Sequence, residues 1–246
     1  MIDLHCHLLP GIDDGSKNME NSLAMARVAV DDGITHAVMT PHIHPGRWDN
    51  TTAIIAEHSR QFTQALRQHN INLTIGFAAE VRLSDLIFQQ LERGDIPFLG
   101  HLDGFQIMLL EFPHSHIIPG SEKLVAWLIR NNIRPVIAHP ERNKEIMSAP
   151  ERLQPFLDQG CFAQVTAGSL SGRFGENARR AALYFIDHNQ ADFIASDAHN
   201  LSSRPPAIAE AEAIVAARLG QEVARKLVFD TPWQLAASQF ENAVNG

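Results

Sequence analysis

Two histidines flank a cysteine at His5-Cys6-His7, and two aspartates follow at Asp13-Asp14. The residues before them, Met1-Ile2-Asp3-Leu4, are short and mostly apolar and read as the start of a strand. Side chains alternate faces along a strand, so His5 and His7 point one way and Cys6 the other. Imidazole nitrogen is a common ligand for zinc, iron and manganese, and two imidazoles on one face form half a metal site. Residues of the same chemistry recur at His42, Glu80, Glu111, His139, Asp197 and His199. Taken singly, each has a plainer reading. A lone His after a strand is more often a surface or capping residue, Asp13-Asp14-Gly15 is a turn, and Glu80 is a carboxylate at a helix start. Glu111-Phe112-Pro113 enters a loop, and Asp197 caps a helix.

The joint pattern is harder to dismiss, because it tracks the elements that would carry it. Strands are expected at Ile2 to His5, His36 to Thr40, Leu73 to Glu80, Gln106 to Glu111, Pro135 to His139, Phe162 to Thr166 and Asp192 to Ser196. They are short and apolar, as strands buried on both faces are. Helices are expected between them at Met19 to Asp32, Thr51 to Gln68, Ser121 to Asn131, Gly175 to Asn189 and Ala207 to Leu219. Alternating strands and helices imply a parallel sheet or barrel, here an α/β barrel one unit short of eight. Active sites of such barrels lie at the carboxyl ends of the strands. Six of the seven strand ends carry His, Asp or Glu there; the Phe162 strand ends without an obvious metal ligand.

The bulk properties narrow the function classes. A chain of 246 residues with 45% hydrophobic content fits one large domain, expected to span 1–246. No apolar run is long enough to span a bilayer and there is no basic-then-apolar leader, so no membrane insertion is expected and a cytoplasmic location is. The net charge of −8, without clustered Lys and Arg, argues against nucleic acid as a partner. It does not exclude a phosphorylated substrate, because bound divalent ions turn an acidic site locally positive. A thiol-based phosphatase loop needs Cys-x5-Arg, but Ile12 stands six positions after Cys6 and Ala167 six after Cys161. Cys6 is expected to pack as a small apolar residue.

The segment Asp3-Leu4-His5-Cys6-His7-Leu8-Leu9-Pro10-Gly11-Ile12-Asp13-Asp14-Gly15-Ser16 resembles the opening of the polymerase and histidinol phosphatase (PHP) superfamily. More narrowly it resembles the CpsB-type manganese-dependent protein tyrosine phosphatases of bacterial capsule and exopolysaccharide synthesis. Thr40-Pro41-His42, Gly76-Phe77-Ala78-Ala79-Glu80, Leu110-Glu111-Phe112-Pro113, Ile137-Ala138-His139-Pro140-Glu141-Arg142-Asn143 and Ala195-Ser196-Asp197-Ala198-His199 extend the likeness. It runs from residue 2 to about residue 230, and the Leu-Pro-Gly-Ile-Asp-Asp-Gly stretch is its specific part.

The resemblance implies a distorted (βα)7 TIM-like barrel of the PHP type with three divalent metal ions, Mn2+ ahead of Fe or Zn2+. It assigns His5, His7, Glu80 and Asp197 to one ion, and Glu80, Glu111 and His139 to a second, with Glu80 bridging. Asp14, His42 and His199 would hold the third; the sequence alone does not separate Asp14 from Asp13. Water on such ions becomes hydroxide near neutral pH and attacks phosphorus in line. Arg142, three residues after His139, and Arg204, five after His199, are the candidates to clamp phosphate, because guanidinium offers paired donors to its oxygens. His44, His114 and His116 are placed on rim loops, and Trp48, Phe112 and Phe174 are candidates for an apolar wall against a phosphotyrosine ring, with core or loop packing the competing reading for each. The implied substrate is a phosphotyrosine protein, namely the tail of a bacterial tyrosine kinase. Competing readings are a small-molecule phosphatase such as histidinol phosphatase, a nucleotide phosphoesterase and a non-catalytic regulatory protein. A homo-oligomer using Glu20 to Arg27 is a further expectation.

Overall fold

Period-two alternation sorts the strand side chains into two sets. Ile2 and Leu4, Ile107 and Leu109, Val136 and Ala138, and Phe193 and Ala195 fall into one buried cluster. Met108, Leu110, Ile137, Ala163, Val165 and Ile194, with the apolar helix residues, fall into another. The first set fills the inside of a barrel and the second lies between the barrel and its shell of helices, as a closed parallel sheet requires. The computed structural model describes residues 1–241.

The strands are β1 (Ile2–Cys6), β2 (His36–Met39), β3 (His42–Ile43), β4 (Thr74–Phe77), β5 (Glu80–Arg82), β6 (Gly100–Leu102), β7 (Phe105–Glu111), β8 (Ile133–Ala138), β9 (Phe162–Thr166) and β10 (Phe193–Ala195). β2 is the strand expected at His36 to Thr40; β3 continues it past the expected end, after an interruption at Thr40-Pro41, where proline supplies no ladder N–H. β4 and β5 are likewise one strand broken at Ala78-Ala79. Counting each pair once, seven parallel strands follow one another in chain order, β1–β2–β4 below and β3–β5–β7–β8–β9–β10 above. The ring closes where Cys6 bridges Ala198 in parallel, with His7 N–H donating to the Ala198 carbonyl at 2.9 Å and Asp197 N–H to the His5 carbonyl at 2.7 Å. This is the distorted seven-fold barrel expected. β6 was not anticipated; it pairs antiparallel with the start of β7.

The five expected helices are present within two residues at each end, as Met19–Asp31, Thr52–Gln68, Ser121–Arg130, Glu176–Asp187 and Ala209–Leu219. Most of the differences are cap residues: the Thr51 hydroxyl accepts from Ile54 N–H at 3.5 Å, so Thr51 stands just outside its helix. A further helix, Thr231–Glu241, closes the amino end of the barrel by adding Leu235, Ala236 and Phe240 to the interior cluster. It approaches so closely that a Cβ on Gly100 would lie 2.2 Å from the Leu235 carbonyl oxygen, which is why this β6 position takes glycine. Among the described residues no helix is long and apolar enough to cross a membrane.

Candidate metal centre

With the amino end plugged, the carboxyl end is where polar side chains gather. The β1–β2 register breaks between Asp3 and Cys6. Ile2 and Leu4 belong to the interior cluster, but Cys6 belongs to the outer one, so the irregularity exchanges the two faces. His5 and His7 thereby turn to the mouth, with their Nε2 atoms 3.2 Å apart. The far nitrogen of each ring is held: His5 Nδ1 donates to Gln164 Oε1 at 2.8 Å and His7 Nδ1 to Asp13 Oδ2 at 2.7 Å. Such bonds fix the tautomer that leaves Nε2 free to coordinate. The loop bearing Asp13 folds back on His7, whose carbonyl accepts from Ser16 N–H at 3.0 Å. A Cβ on Gly15 would sit 2.2 Å from that carbonyl oxygen.

His5 Nε2 lies 3.2 Å from Glu80 Oε2 and 3.3 Å from Asp197 Oδ1; His7 Nε2 lies 3.3 and 3.4 Å from the same two atoms. A tetrahedron with edges of this length has its centre about 2.0 Å from each corner, the bonding distance of a zinc-sized cation to nitrogen and oxygen. Glu80 Oε2 and Asp197 Oδ1 are buried without a hydrogen-bond partner, and so are His42 Nδ1 and His199 Nε2. Buried polar atoms are nearly always paired, so four unpaired ones aimed into one cluster fit bound cations.

Around this quartet stand the other expected ligands. Glu80 Oε1 accepts from His139 Nε2 at 2.8 Å, and its Oε2 lies 3.0 Å from His42 Nδ1, so one carboxylate faces both sides of the cluster. Glu111 Oε2 is 4.0 Å from His42 Nδ1, and Glu111 Oε1 pairs with Arg82 at 2.8 Å. His42, Glu80 and Glu111 therefore form one possible ligand group, with His139 on the outer oxygen of Glu80. Asp14 Oδ1 lies 3.3 Å from His42 Nε2 and 3.5 Å from His199 Nε2, and His7 borders this third group. Asp13 instead accepts from His7, from His42 N–H at 3.1 Å and from Gly15 N–H at 2.9 Å, which leaves Asp14 as the free carboxylate of the neighbouring pair.

Two residues at the mouth have left-handed backbones, His139 at φ +31°, directly after β8, and Asp197 at φ +50°, two residues after β10. Non-glycine residues adopt this region at a cost, and such strain gathers at functional sites. The turn at His139 is pinned by Asn143, whose Oδ1 caps the next helix at Glu145 and Ile146 N–H while its Nδ2 donates to the Pro113 carbonyl at 2.6 Å. The following carboxylate, Glu141, is buried and accepts from Thr166 N–H and the Ser169 hydroxyl.

The field of the cluster attracts positive charge. Burial works to lower His42, but Glu80 and Asp14 raise it to about 10. Burial opposes ionisation of Asp197, yet His5, Arg204 and Arg142 hold it well below the usual carboxylate range. Burial and then Glu80 push Glu111 up to about 7. His139 goes the other way, to about 4, through burial and the nearby Arg142 guanidinium.

Arg142 and Arg204 meet at one spot. Both donate to Asp197 Oδ2, the oxygen turned away from the histidines, Arg204 at 2.5 Å. Phe174 covers them, its ring centre 4.3 Å from the Arg142 guanidinium carbon and 6.0 Å from that of Arg204. On the other side Trp48 stacks on His42 at 4.8 Å and 11°. Phe112 is no rim wall: it is 3% exposed and packs on Phe156 at 5.0 Å, because the chain after Glu111 turns its apolar side into the helical shell. His114 shares a small cavity of about 30 Å³ with Glu111, His139 and Arg142, and His116 is exposed and bonded to Ser115. His44 and Trp48 close a short hairpin. Cys6 and Cys161 are both buried, and burial pushes the Cys161 thiol up to about 12, so neither offers a thiolate.

Sequence reasoning missed Gln164, Arg82 and the double role of Asp13. Gln164 left a signal, a lone amide inside the apolar strand Phe162–Thr166, and Arg82 left one too, two places after Glu80 and therefore on its face. Asp3, which accepts from the Ser196 hydroxyl and N–H and is driven to about 6 by burial, was also passed over.

Known proteins resemble this arrangement along nearly the whole chain. The model of the family described as capsular polysaccharide synthesis, CpsB/CapC, matches residues 1–237. The tyrosine-protein phosphatase YwqE of Bacillus subtilis is 36% identical over 223 residues, covering 91% of this chain and 87% of its own. The tyrosine-protein phosphatase CpsB of Streptococcus pneumoniae is 30% identical over 244 residues, covering 97% and 99%. A solved structure from work on those two proteins, described there as metal-dependent tyrosine phosphatases, superposes with a TM-score of 0.88 at 34% identity, over 96% of this chain and 94% of that one.

Proposed function

The chain belongs to the CpsB/CapC family of capsular polysaccharide synthesis, and from that premise we propose that it is a metal-dependent protein tyrosine phosphatase whose active site is the cluster at the carboxyl mouth of the barrel. The observation that carries the reading is the set of four buried, unpaired donor atoms on Glu80, Asp197, His42 and His199, converging with His5 and His7 at coordination spacing.

His5, His7, Glu80 and Asp197 would hold one ion; Glu80 and Glu111, with His139 and His42 in reach, a second; and Asp14, His42 and His199 a third. Mixed nitrogen and oxygen donors suit Mn2+, with Fe and Zn2+ as alternatives. When bound, such ions supply a water of lowered pKa as nucleophile and neutralise charge on the phosphoryl oxygens. The protein's own groups do the rest. Gln164 and Asp13 hold the two histidine rings in one tautomer. Arg142 and Arg204 bring two guanidinium groups to one edge of the cluster, where they match the oxygens of a phosphoryl group. Phe174, packed on those arginines, offers an apolar edge for an aromatic ring, whereas Trp48 lies between His42 and the Arg47 guanidinium.

The relatives' tyrosine-protein phosphatase activity supports a phosphotyrosine-bearing protein as the substrate class; within it we propose the tail of a bacterial tyrosine kinase that governs capsule or exopolysaccharide assembly, met in the cytoplasm. A panel of phosphotyrosine peptides, phosphoserine peptides, histidinol phosphate and nucleotides, given to Mn2+-loaded protein, tests it. The expected result is the highest kcat/KM on phosphotyrosine; faster turnover of histidinol phosphate or a nucleotide would replace this reading with a small-molecule one.

A further inference from the structure

We infer that a groove on the flank of the barrel, beside the metal mouth, binds a segment of the phosphoprotein that carries an apolar side chain with acidic neighbours. The inference rests on the phosphotyrosine-protein reading and adds where the polypeptide lies. The groove has a volume of about 660 Å³, within the range of specific binding sites. One wall is the loop after β5, with Leu83, and the short helix Ile87–Glu92 that follows it, with Phe88; the other is the helix Ser121–Arg130, with Lys123, Leu124, Trp127 and Arg130. Phe88 and Trp127 meet edge to face at 4.8 Å. Phe88 is 42% exposed and the adjoining Leu86 43%, among few large apolar side chains so open to solvent. Apolar residues grouped at an open cavity mark an interaction surface.

Continuity and charge identify the occupant. Both walls grow out of the metal site. β5 starts at Glu80 and passes Arg82, which pairs with Glu111, to reach Leu83, whose N–H donates to the Glu111 carbonyl at 2.9 Å. The other wall is reached from Glu111 along the loop that ends at Gly120. A polypeptide holding one side chain at the metals therefore has its neighbouring residues delivered to the groove. The cations are also free. The side-chain cations of Lys123 and Arg130 have no hydrogen-bond or ion-pair partner among the described residues, although the chain carries a net charge of −8. They lie on one face of the helix with Trp127 between them, and Asp85 is the only acidic side chain lining the groove. An aromatic anchor site between two free cations fits an apolar residue flanked by carboxylates, and Trp and Arg are the residue types that dominate binding energy at such places.

Steady-state kinetics on Mn2+-loaded protein test this. The probes are phosphotyrosine peptides with a Glu-Phe-Glu block set two, four or six residues to either side, the same peptides with Gly-Ser-Gly in its place, and p-nitrophenyl phosphate. The variants are Lys123→Glu/Arg130→Glu and Phe88→Ser, all at exposed positions. The wild type should favour the Glu-Phe-Glu peptide at one spacing by about tenfold in kcat/KM, through KM, and each variant should lose that preference with p-nitrophenyl phosphate turnover unchanged. Equal use of both peptides at every spacing, or a parallel loss on p-nitrophenyl phosphate, would overturn it. So would a groove filled by a second copy of the chain, seen as a dimer that Phe88→Ser dissolves. If the wild type turns over no phosphate ester, the phosphatase reading fails, and the groove is judged separately by anisotropy of a dye-labelled, unphosphorylated Glu-Phe-Glu peptide. Tighter binding to wild type than to Lys123→Glu/Arg130→Glu supports it; equal or absent binding refutes it.

Discussion

The two ends of one barrel are built by opposite rules. At the amino end the same strands that carry the ligand candidates meet Leu235, Ala236 and Phe240 in a closed apolar cluster. Contact there is tight enough to demand glycine at position 100. At the carboxyl end buried donor atoms lack partners, and two non-glycine residues sit in the left-handed region. One end contributes apolar burial; the other holds unfavourable contacts that only a bound cation resolves. The stability of the first sustains the strain of the second.

Substitutions should separate the two ends cleanly. The largest effect is expected from Glu80→Ala, which removes the carboxylate facing both sides of the cluster. Phosphatase turnover should fall by about a thousandfold or more, and the metal-free protein should lose some stability because His5, His42 and His139 lose their shared carboxylate, while the barrel stays folded by circular dichroism. A collapse of the fold would show the mouth to be structural. The converse is Phe240→Ala at the plug, where loss of a 2% exposed ring should cost about 3–5 kcal/mol in urea unfolding with kcat of the folded fraction unchanged.

Next comes Gln164→Ala, which releases the His5 ring. Metal affinity should drop about 10–100-fold, the usual effect of losing a group that orients a ligand histidine, and the metal-free protein should lose about 1–3 kcal/mol because His5 Nδ1 and the His139 N–H lose a buried acceptor.

The smallest effect concerns Asp192, whose carboxylate accepts from Ala163 N–H at the start of β9. Burial raises it from 3.8 to about 6. The folded protein therefore keeps this proton to higher pH than the unfolded chain. Its contribution is most favourable below about pH 4, declines as pH rises toward 6 and is level beyond. Asp192→Asn should thus add up to about 2 kcal/mol above pH 6 and close to nothing near pH 4, read from urea unfolding at the two pH values. An equal gain at both would show that the carboxylate is not held protonated.

The same division explains what could be read from the sequence. The mouth was legible because its chemistry lies in side-chain types at strand ends: His5, Glu80, Glu111, His139 and Asp197 each stand where a period-two apolar run stops. The plug was not, because Leu235 and Phe240 look like any amphipathic helix until strands more than a hundred residues away supply their partners. The broken register in β1 was hidden as well. Strict alternation gives the right pairing of His5 with His7, but it does not show that Leu4 and His5 both face inward. Phe112 was left open between rim and core for a related reason: a residue next to a ligand is as free to enter the shell as the rim, and only packing decides. The choice between Asp13 and Asp14 depends on which carboxylate His7 and the His42 amide engage, a contact that spacing does not encode.

The central claim is that these separated imidazoles and carboxylates form one cation-dependent active site. It is tested most directly by turnover of a phosphotyrosine peptide by protein stripped with EDTA, assayed before and after Mn2+ is returned. The account requires turnover to vanish on stripping and to recover as the ion binds. Undiminished turnover in protein shown to be free of metal would contradict it.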